Sequence, residues 1–312
     1  MAASEATPQR LARASAAVKK NSSTRRLYTA KTYPLWFLIP SATLFVIFFL
    51  VPTVASFYFA FTRWDLQTAT WTGLENFQMF FAEPQLSGGL VHTLIYAVVT
   101  SGSKVVLGLP LAVLLTSQII GRGLVRSIIF FPVLVSTIGV GIAFKALMDP
   151  TQGLINVALK AVGITGPGWL TNPSLVLYSI ALVDIWKGVG LATLIYMAGI
   201  LAIPREYYEA AEVDGTGRFK QFWHITLPLA WPATTTVITL SLIGGLRSFD
   251  LIWAMTRGGP GFASDVIASV IYKQYQAGFY GLSTAGNVVL FLLVAVIIMP
   301  LQWFLTRREV EL

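Results

Sequence analysis

Residues 209–228 read EAAEVDGTGRFKQFWHITLP and form a polar segment between two long apolar runs. Pro204 ends the run before it, because proline lacks a backbone N–H and disfavours helix at the preceding residue. Good helix formers over 205–213 predict a short helix, and its acidic residues near the start suit the positive end of the helix dipole. Asp214 and Gly215 predict its end, since glycine readily adopts a left-handed turn. The segment is therefore predicted to form a helix, a turn and a second helix. The alternative interpretation is an amphipathic loop that lies on lipid headgroups.

The composition outside this segment predicts an all-α integral membrane protein. The chain has 312 residues, of which 55% are hydrophobic and 12% charged, and its mean hydropathy is +0.69. A soluble domain carries about twice that charged fraction. Six apolar runs approach the length of about 20 residues that a helix needs to cross a bilayer. They cover residues 34–62, 90–117, 124–147, 174–203, 227–252 and 283–306.

The distribution of basic residues predicts the orientation of these six spans. Residues 1–32 hold seven basic residues and one acid, which is typical of a disordered tail. If this tail is inside, the inner segments hold fourteen basic residues and the outer loops only four, namely Arg63, Lys160, Arg257 and Lys273. Cytoplasmic loops carry such an excess. We therefore expect both termini and the segment 205–226 in the cytoplasm, and a membrane domain over 33–312.

Several function classes are excluded by what the sequence lacks. It has no cysteine and only two histidines, so we expect neither disulfides nor a metal site. The net charge of +8 would indicate nucleic acid in a soluble chain, but here it follows the membrane topology, and no nucleic-acid partner is expected. No phosphate-binding loop, nucleophile elbow or zinc-protease motif occurs. We expect no enzyme activity and no cofactor in this chain.

Ionisable residues inside apolar spans are costly and therefore candidates for function. The set is Lys104, Lys145, Asp184, Lys187, Arg247 and Asp250. Asp184 lies three residues before Lys187, and Arg247 three before Asp250, a spacing that predicts a local ion pair on one face of each helix.

The alternative is that these groups line a path for a hydroxyl-rich solute. Aromatic faces stack on sugar rings, hydroxyls exchange hydrogen bonds with them, and glycines give room. The candidates near the charged groups are Trp186, Gly188, Tyr196, Ser241, Gly245, Ser248 and Phe249. Glycine and serine in membrane spans also let helices approach closely, and the sequence leaves both interpretations open.

The loop 254–282 is a further candidate for contact with a soluble partner outside the membrane. Its Arg257-Gly258-Gly259-Pro260-Gly261 sequence predicts a turn, and residues 264–276 predict a short helix. A structural cap over the helices is equally compatible with this pattern.

The polar segment also has a recognisable spacing. Glu209-Ala210-Ala211 is followed after three residues by Gly215, and after nine more by Ile225 and then Leu227-Pro228. This pattern resembles the cytoplasmic signature of ATP-binding cassette permeases, and nearly all of 33–312 is similar to the sugar-importing, maltose-permease-like branch. Further matching pieces are 61–64, 73–77, 153–156, 169–170, 203–204, 249–250 and 256–260.

The resemblance implies a five-part importer. Its members are this chain, a second homologous permease, two ATPases that bind ATP and magnesium, and an extracytoplasmic solute-binding protein, in a bacterial or archaeal cell membrane. The helix around Glu209, with Asp214, Gly215 and Arg218, is expected to dock into the ATPase as a coupling helix between spans four and five. Alternating access is the expected mechanism, and a non-sugar importer of the same architecture or an ion-coupled carrier is the alternative.

The same resemblance implies which residues face the solute. They are Lys187, Gly188, Leu191, Ser241, Gly245 and Ser248. Together with the charged and aromatic candidates Asp184, Trp186, Phe249 and Asp250, they form the predicted sugar path. Gly245 and Ser248 replace amide side chains that commonly contact sugar in the maltose-permease case, so maltose itself is not the expected solute.

Overall fold

The structure, a computed structural model, describes residues 35–307, so the tail predicted over 1–32 lies outside the described residues. The chain divides into two units between Ala55 and Ser56. A long apolar helix, α1, covers Trp36–Phe59 and supplies most of what is described of the first unit. One π-helical turn, Val46–Leu50, lies within α1. Pro52 follows it closely and lacks the backbone N–H that regular helical bonding requires.

The second unit contains a short hairpin and the remaining helices. The antiparallel strands are β1, Thr62–Trp64, and β2, Ala69–Trp71. The helices before the polar segment are α2 (Glu75–Ala82), α3 (Pro84–Thr116), α4 (Arg122–Leu134), α5 (Thr137–Leu147), α6 (Leu154–Ala161) and α7 (Val176–Leu201). Those that follow are α8 (Arg205–Val213), α9 (Arg218–Leu229), α10 (Trp231–Leu246), α11 (Asp250–Met255), α12 (Ile267–Gln276) and α13 (Tyr280–Thr306).

Within residues 35–307, four helices are long and apolar enough to cross a membrane alone, namely α1, α3, α7 and α13. Two bent pairs raise the number to six if each pair counts as one span: α4 and α5 meet at 101°, and α9 and α10 at 65°. The predicted run 124–147 is thus broken, because Val135 and Ser136 adopt extended ψ angles of 141° and 133°. The run 227–252 ends early at Leu246, since a separate helix starts at Asp250.

The core lies where α3, α7 and α10 pack together. One buried cluster joins Leu115 of α3, Tyr196 of α7 and Val237 of α10. A second joins Tyr96 of α3 and Ile180 of α7 to α5 and α11. These three helices therefore form the frame that positions the polar groups described below.

The hairpin is fixed by polar contacts at its base and tip. The side-chain amide of Asn76 donates to the carbonyl oxygens of Ala60 and Thr62, both at 2.9 Å. At the tip, the Asp65 carboxylate accepts hydrogen bonds from the backbone N–H and hydroxyl of Thr68 and the N–H of Gln67. These bonds hold the pKa of the Asp65 carboxyl below its usual value, because they favour the charged form.

The predicted turn and helix in 254–282 are confirmed, with α12 covering Ile267–Gln276. Asp265, just before α12, is 1% exposed and is the centre of this loop. Its carboxylate accepts from the Ser269 hydroxyl at 2.7 Å and pairs with Lys273 at 2.5 Å, while its backbone oxygen lies 2.9 Å from Nδ1 of His92. The loop is therefore tied to both α12 and α3.

Candidate functional site

Helix α8 has the bounds that the sequence predicts, Arg205–Val213. It begins after Pro204, whose ψ of 135° is outside the helical range, and Glu206 lies in its first turn. It ends at Asp214, and Gly215 follows with a φ of +71°. A side chain with a Cβ is strained in this left-handed conformation, which explains the glycine.

One side-chain contact joins α8 to α9 directly, and two more join the turn between them to each helix. The Tyr208 hydroxyl lies 3.0 Å from the Thr226 hydroxyl, and the Gln221 amide donates to the Thr216 carbonyl at 3.1 Å. The Thr216 hydroxyl donates to the carbonyl of Ala211 at 2.7 Å, which closes the end of α8. These bonds connect α8, the turn and α9, which leads through the bend into α10.

The residues predicted to contact an ATPase lie mostly on the surface of this segment. Glu209, Ala210, Asp214, Gly215 and Arg218 are exposed, and Ala211 is half-buried. Within residues 35–307, the three charged side chains among them form no ion pair. Ala210 and Ala211 carry only methyl groups, so the surface of the helix is low at these two positions, and charged side chains lie on either side of it. Such a surface is complementary to a groove that carries charge at its rim.

A buried ion pair joins α3 and α7 in the middle of the apolar helices. Nζ of Lys104 lies 2.6 Å from Oδ2 of Asp184, and the side chains are only 9% and 23% exposed. Tyr96 is fully buried beside this pair, within electrostatic range of Asp184 and near Ser248. Its hydroxyl is not hydrogen-bonded to any described residue. The pair and this hydroxyl form a polar site inside the helix frame.

This pairing corrects the ion pairs predicted from spacing. Asp184 pairs with Lys104, 80 residues away, and Lys187 forms no ion pair within the described residues. Arg247 and Asp250 are not paired either, because α10 ends before Arg247 and α11 begins at Asp250. The two residues therefore do not share one helix face. The sequence identified Lys104 as a charged residue in an apolar helix. The spacing of residues along one helix cannot reveal an ion-pair partner on another helix.

The predicted path residues on α7 face different neighbours. Gly188 faces the paired lysine: a Cβ on Gly188 would lie 2.6 Å from Cε of Lys104. Trp186 contacts Phe144 of α5, with ring centroids 5.2 Å apart. Lys187 is half-buried and Leu191 is exposed. The structure thus brings Asp184 and Gly188 together around Lys104, and it places Trp186 against α5.

The predicted path residues that follow the polar segment also differ in their burial and in their neighbours. Gly245 is buried where α10 crosses α3, and a Cβ there would lie 2.7 Å from the Cα of Ala97, so close helix packing explains this glycine. Ser241 and Ser248 are half-buried and Asp250 is exposed. Phe249 stacks on Trp253, with centroids 5.5 Å apart and planes inclined at 20°. Ser248 lies near Tyr96, which is itself fully buried.

Comparison with known proteins decides the family. The model of the family described as "binding-protein-dependent transport system inner membrane component" matches residues 104–309, about two thirds of the chain. The chain belongs to this family. The match starts at Lys104 and includes α8, α9 and every predicted path residue.

Individual relatives agree with this assignment. The trehalose/maltose transport permease MalF of Thermococcus litoralis is 31% identical over 82% of this chain and 88% of its own length. The arabinooligosaccharide transport permease AraP of Bacillus subtilis is 31% identical over 91% of this chain and 92% of its own. Two structures of a bacterial alginate ABC transporter share the permease fold, with TM-scores of 0.78 and 0.72 at 24% and 23% identity. They cover 93% and 92% of this chain, and 98% and 94% of theirs.

These relatives are transporter permease subunits and not enzymes. The prediction of a membrane-spanning ABC permease is therefore confirmed. The buried pair lies within the apolar helices of this permease, and the segment around α8 lies between two of them.

Proposed function

We propose that this permease is the membrane-spanning subunit of an ATP-driven, binding-protein-dependent sugar importer. The observation that carries the proposal is the combination of family membership with an exposed, capped helix α8 between the apolar helices α7 and α10. The chain has no nucleotide-binding motif of its own, so energy must enter through a partner. The sugar class rests on relatives named for trehalose, maltose and arabinooligosaccharides.

The proposed assembly contains a second homologous permease, two ATPases that bind ATP and magnesium, and a solute-binding protein outside the membrane. The alginate transporter was solved in complex with a periplasmic protein that carries an alginate pentasaccharide, which supports a binding protein in systems of this fold. We place the assembly in a bacterial or archaeal cell membrane. The permease then has six spans, each bent pair counts as one, and both termini face the cytoplasm.

In this proposal α8 is the coupling helix, with Glu209, Ala210 and Ala211 at the ATPase and Gly215 setting the turn. Closure of the ATPases on ATP moves α8, and its contacts through Tyr208 and Gln221 pass the motion to α9. The bend of 65° between α9 and α10 is where the angle changes as the path opens outwards. Nucleotide shifts this equilibrium only through its different affinity for the two states.

The proposed sugar path runs beside the buried pair of Lys104 and Asp184. A sugar offers many hydroxyls, and each can donate to the carboxylate or accept from the ammonium group. The unbonded hydroxyl of Tyr96 adds one donor and one acceptor. Ser248, Gly188 and Lys187 complete the wall of this path.

The proposal is tested by purifying the permease from its native membrane together with the proteins that remain attached. The complex is placed in liposomes, and sugar uptake and ATP hydrolysis are measured with and without the solute-binding protein. We expect uptake that needs both ATP and the binding protein, and hydrolysis that rises when a sugar is present. Uptake by the permease alone, driven by an ion gradient, would contradict the proposal.

A further inference from the structure

A cavity of about 270 Å³ lies between α12, α13 and the start of α11. Three aromatic residues, Phe249, Tyr272 and Tyr275, and two polar residues, Ser283 and Asn287, contribute to its wall. Of the predicted path residues, Phe249 alone lies in its wall, and the path around Lys104 does not account for the other wall residues. The positive-inside orientation places it at the outer end of the helices, where solute would enter.

The aromatic wall offers broad ring faces. Tyr272 and Tyr275 lie one helical turn apart on α12, with planes inclined at only 20° and centroids 6.4 Å apart. The Phe249 ring is 5.2 Å from Tyr272, and Trp253 packs behind both of them at 5.5 and 4.9 Å. The packing from behind holds these rings in place, while Tyr272 and Tyr275 remain 36% and 54% exposed. Fixed, accessible rings suit the apolar face of a sugar ring.

The opposite wall supplies hydrogen-bonding groups without charge. Ser283 and Asn287 lie one turn apart on α13 and therefore share a face. The Ser283 hydroxyl donates to the Ile271 carbonyl at 3.0 Å, so its oxygen is free to accept. The amide of Asn287 and the hydroxyls of Tyr272 and Tyr275 form no hydrogen bond with any residue in the range 35–307. Asn287 is exposed at the wall of the cavity, so its amide is available to a ligand that enters.

The charge and the size of the cavity define the class of occupant. All of its wall residues lie within the described chain, and none is an aspartate, glutamate, lysine or arginine. The volume of about 270 Å³ is below the range of about 300–1,000 Å³ that drug-sized ligands occupy. One sugar ring is a smaller molecule than these ligands, and a uronate ring would leave its carboxylate without a counter-charge here.

We propose that this cavity is a subsite for one neutral sugar ring of the transported saccharide, at the outer entrance of the path. The inference rests on the proposed function and adds the site and the charge class of the solute. Tyr272 and Tyr275 stack on the ring, and Asn287 binds two of its hydroxyls. This class differs from the acidic polysaccharide of the alginate transporter that shares the fold.

The absence of cysteine in the natural chain permits a direct test by labelling. Asn287→Cys is made in the complete importer, with Gln276→Cys as a control at an exposed residue of α12 that does not line the cavity. A maleimide label is counted on this chain by mass spectrometry, with maltotriose, cellotriose or a uronate trisaccharide present. ATP hydrolysis is measured on the same samples with each sugar.

We expect labelling at Asn287→Cys to be about tenfold slower in the presence of the neutral trisaccharide that stimulates hydrolysis, added at about ten times the half-saturating concentration of that sugar. The reason is that an occupied site does not react. Labelling at Gln276→Cys should not change. Equal protection by the uronate, protection at both positions, or no protection despite stimulated hydrolysis would overturn the subsite and leave the proposed function intact. An unreactive Asn287→Cys without sugar would show that a partner subunit fills the cavity, which also overturns it. If no sugar stimulates hydrolysis, the proposed function itself fails.

A second measurement keeps the test independent of the cysteine variant. Tyr272→Phe and Asn287→Leu each remove hydrogen bonds with little change in shape, and Gln302→Met on the inner part of α13 is the matched control. We expect the first two to raise the half-saturating sugar concentration for hydrolysis about threefold to tenfold, as the loss of one neutral hydrogen bond predicts. The control should leave it unchanged. An unchanged value in both cavity variants would overturn the subsite.

Discussion

Replacing Lys104 by methionine should destabilise the permease far more than the same change at Lys187. The variant Lys104→Met leaves the Asp184 carboxylate unpaired among apolar helices, with its side chain only 23% exposed. Removal of one member of a buried pair costs about 3–5 kcal/mol, and the residual exposure of Asp184 favours the lower value of about 3 kcal/mol. With an unfolding entropy of about 2.1 cal/mol/K per residue over 312 residues, a loss of this size lowers the unfolding temperature by about 5 °C.

The assay is thermal unfolding of the purified permease in detergent, followed by the fluorescence of its nine tryptophans. Lys187→Met is the matched control, because Lys187 has no ion pair within the described residues, and we expect a change below about 0.5 kcal/mol. The double variant Lys104→Met with Asp184→Leu removes both charges and should recover most of the loss. If the loss of stability in the double variant equals the sum of the losses in Lys104→Met and Asp184→Leu alone, the residues are not coupled and the pairing is refuted.

Three further predictions follow from close contacts and from the exposed helix. Gly245→Ala should lower the unfolding temperature, because its Cβ meets the backbone of α3 and overpacking costs about 1–3 kcal/mol of stability. Gly244→Ala, whose Cβ has nothing within 4 Å, should leave the unfolding temperature unchanged. Gly258→Ala should open the loop before α12, measured as faster proteolysis there, because its φ is +87° and its Cβ meets a buried carboxylate. Gly261→Ala has a similar left-handed strain, with a φ of +54°, but no neighbour within 4 Å, so it should lose less protection. Glu209→Lys should abolish sugar uptake in liposomes while the protein still inserts, and normal uptake would contradict a docking role.

The sequence predicted the local features of the fold well. The bounds of α8 and its left-handed Gly215 follow from helix propensity, proline and glycine, all of which act within a few residues. The four long apolar helices follow from hydropathy, although the bends in the other two apolar runs do not. The 101° break between α4 and α5 depends on two extended residues, neither of which is a proline or glycine.

The candidate site was less predictable, because its contacts join distant parts of the chain. Asp184 and Lys187 have a spacing typical of a local pair, yet the partner of Asp184 is Lys104 on another helix. The choice between these lysines depends on the packing of α3 against α7, which hydropathy does not specify. The same limitation applies to Asn287, which appears as an ordinary polar residue until α12 is placed beside α13.

We propose that α8 receives the force of ATP hydrolysis from a separate subunit. The most direct test is chemical cross-linking from a single cysteine, Ala210→Cys, in the complete importer, with Thr171→Cys in an exposed loop predicted to face outwards as the control. We predict a covalent product of this chain and the ATPase from Ala210→Cys, and none from Thr171→Cys. A product from the loop but not from α8, or labelling of Ala210→Cys by a membrane-impermeant reagent from outside the cell, would contradict the account.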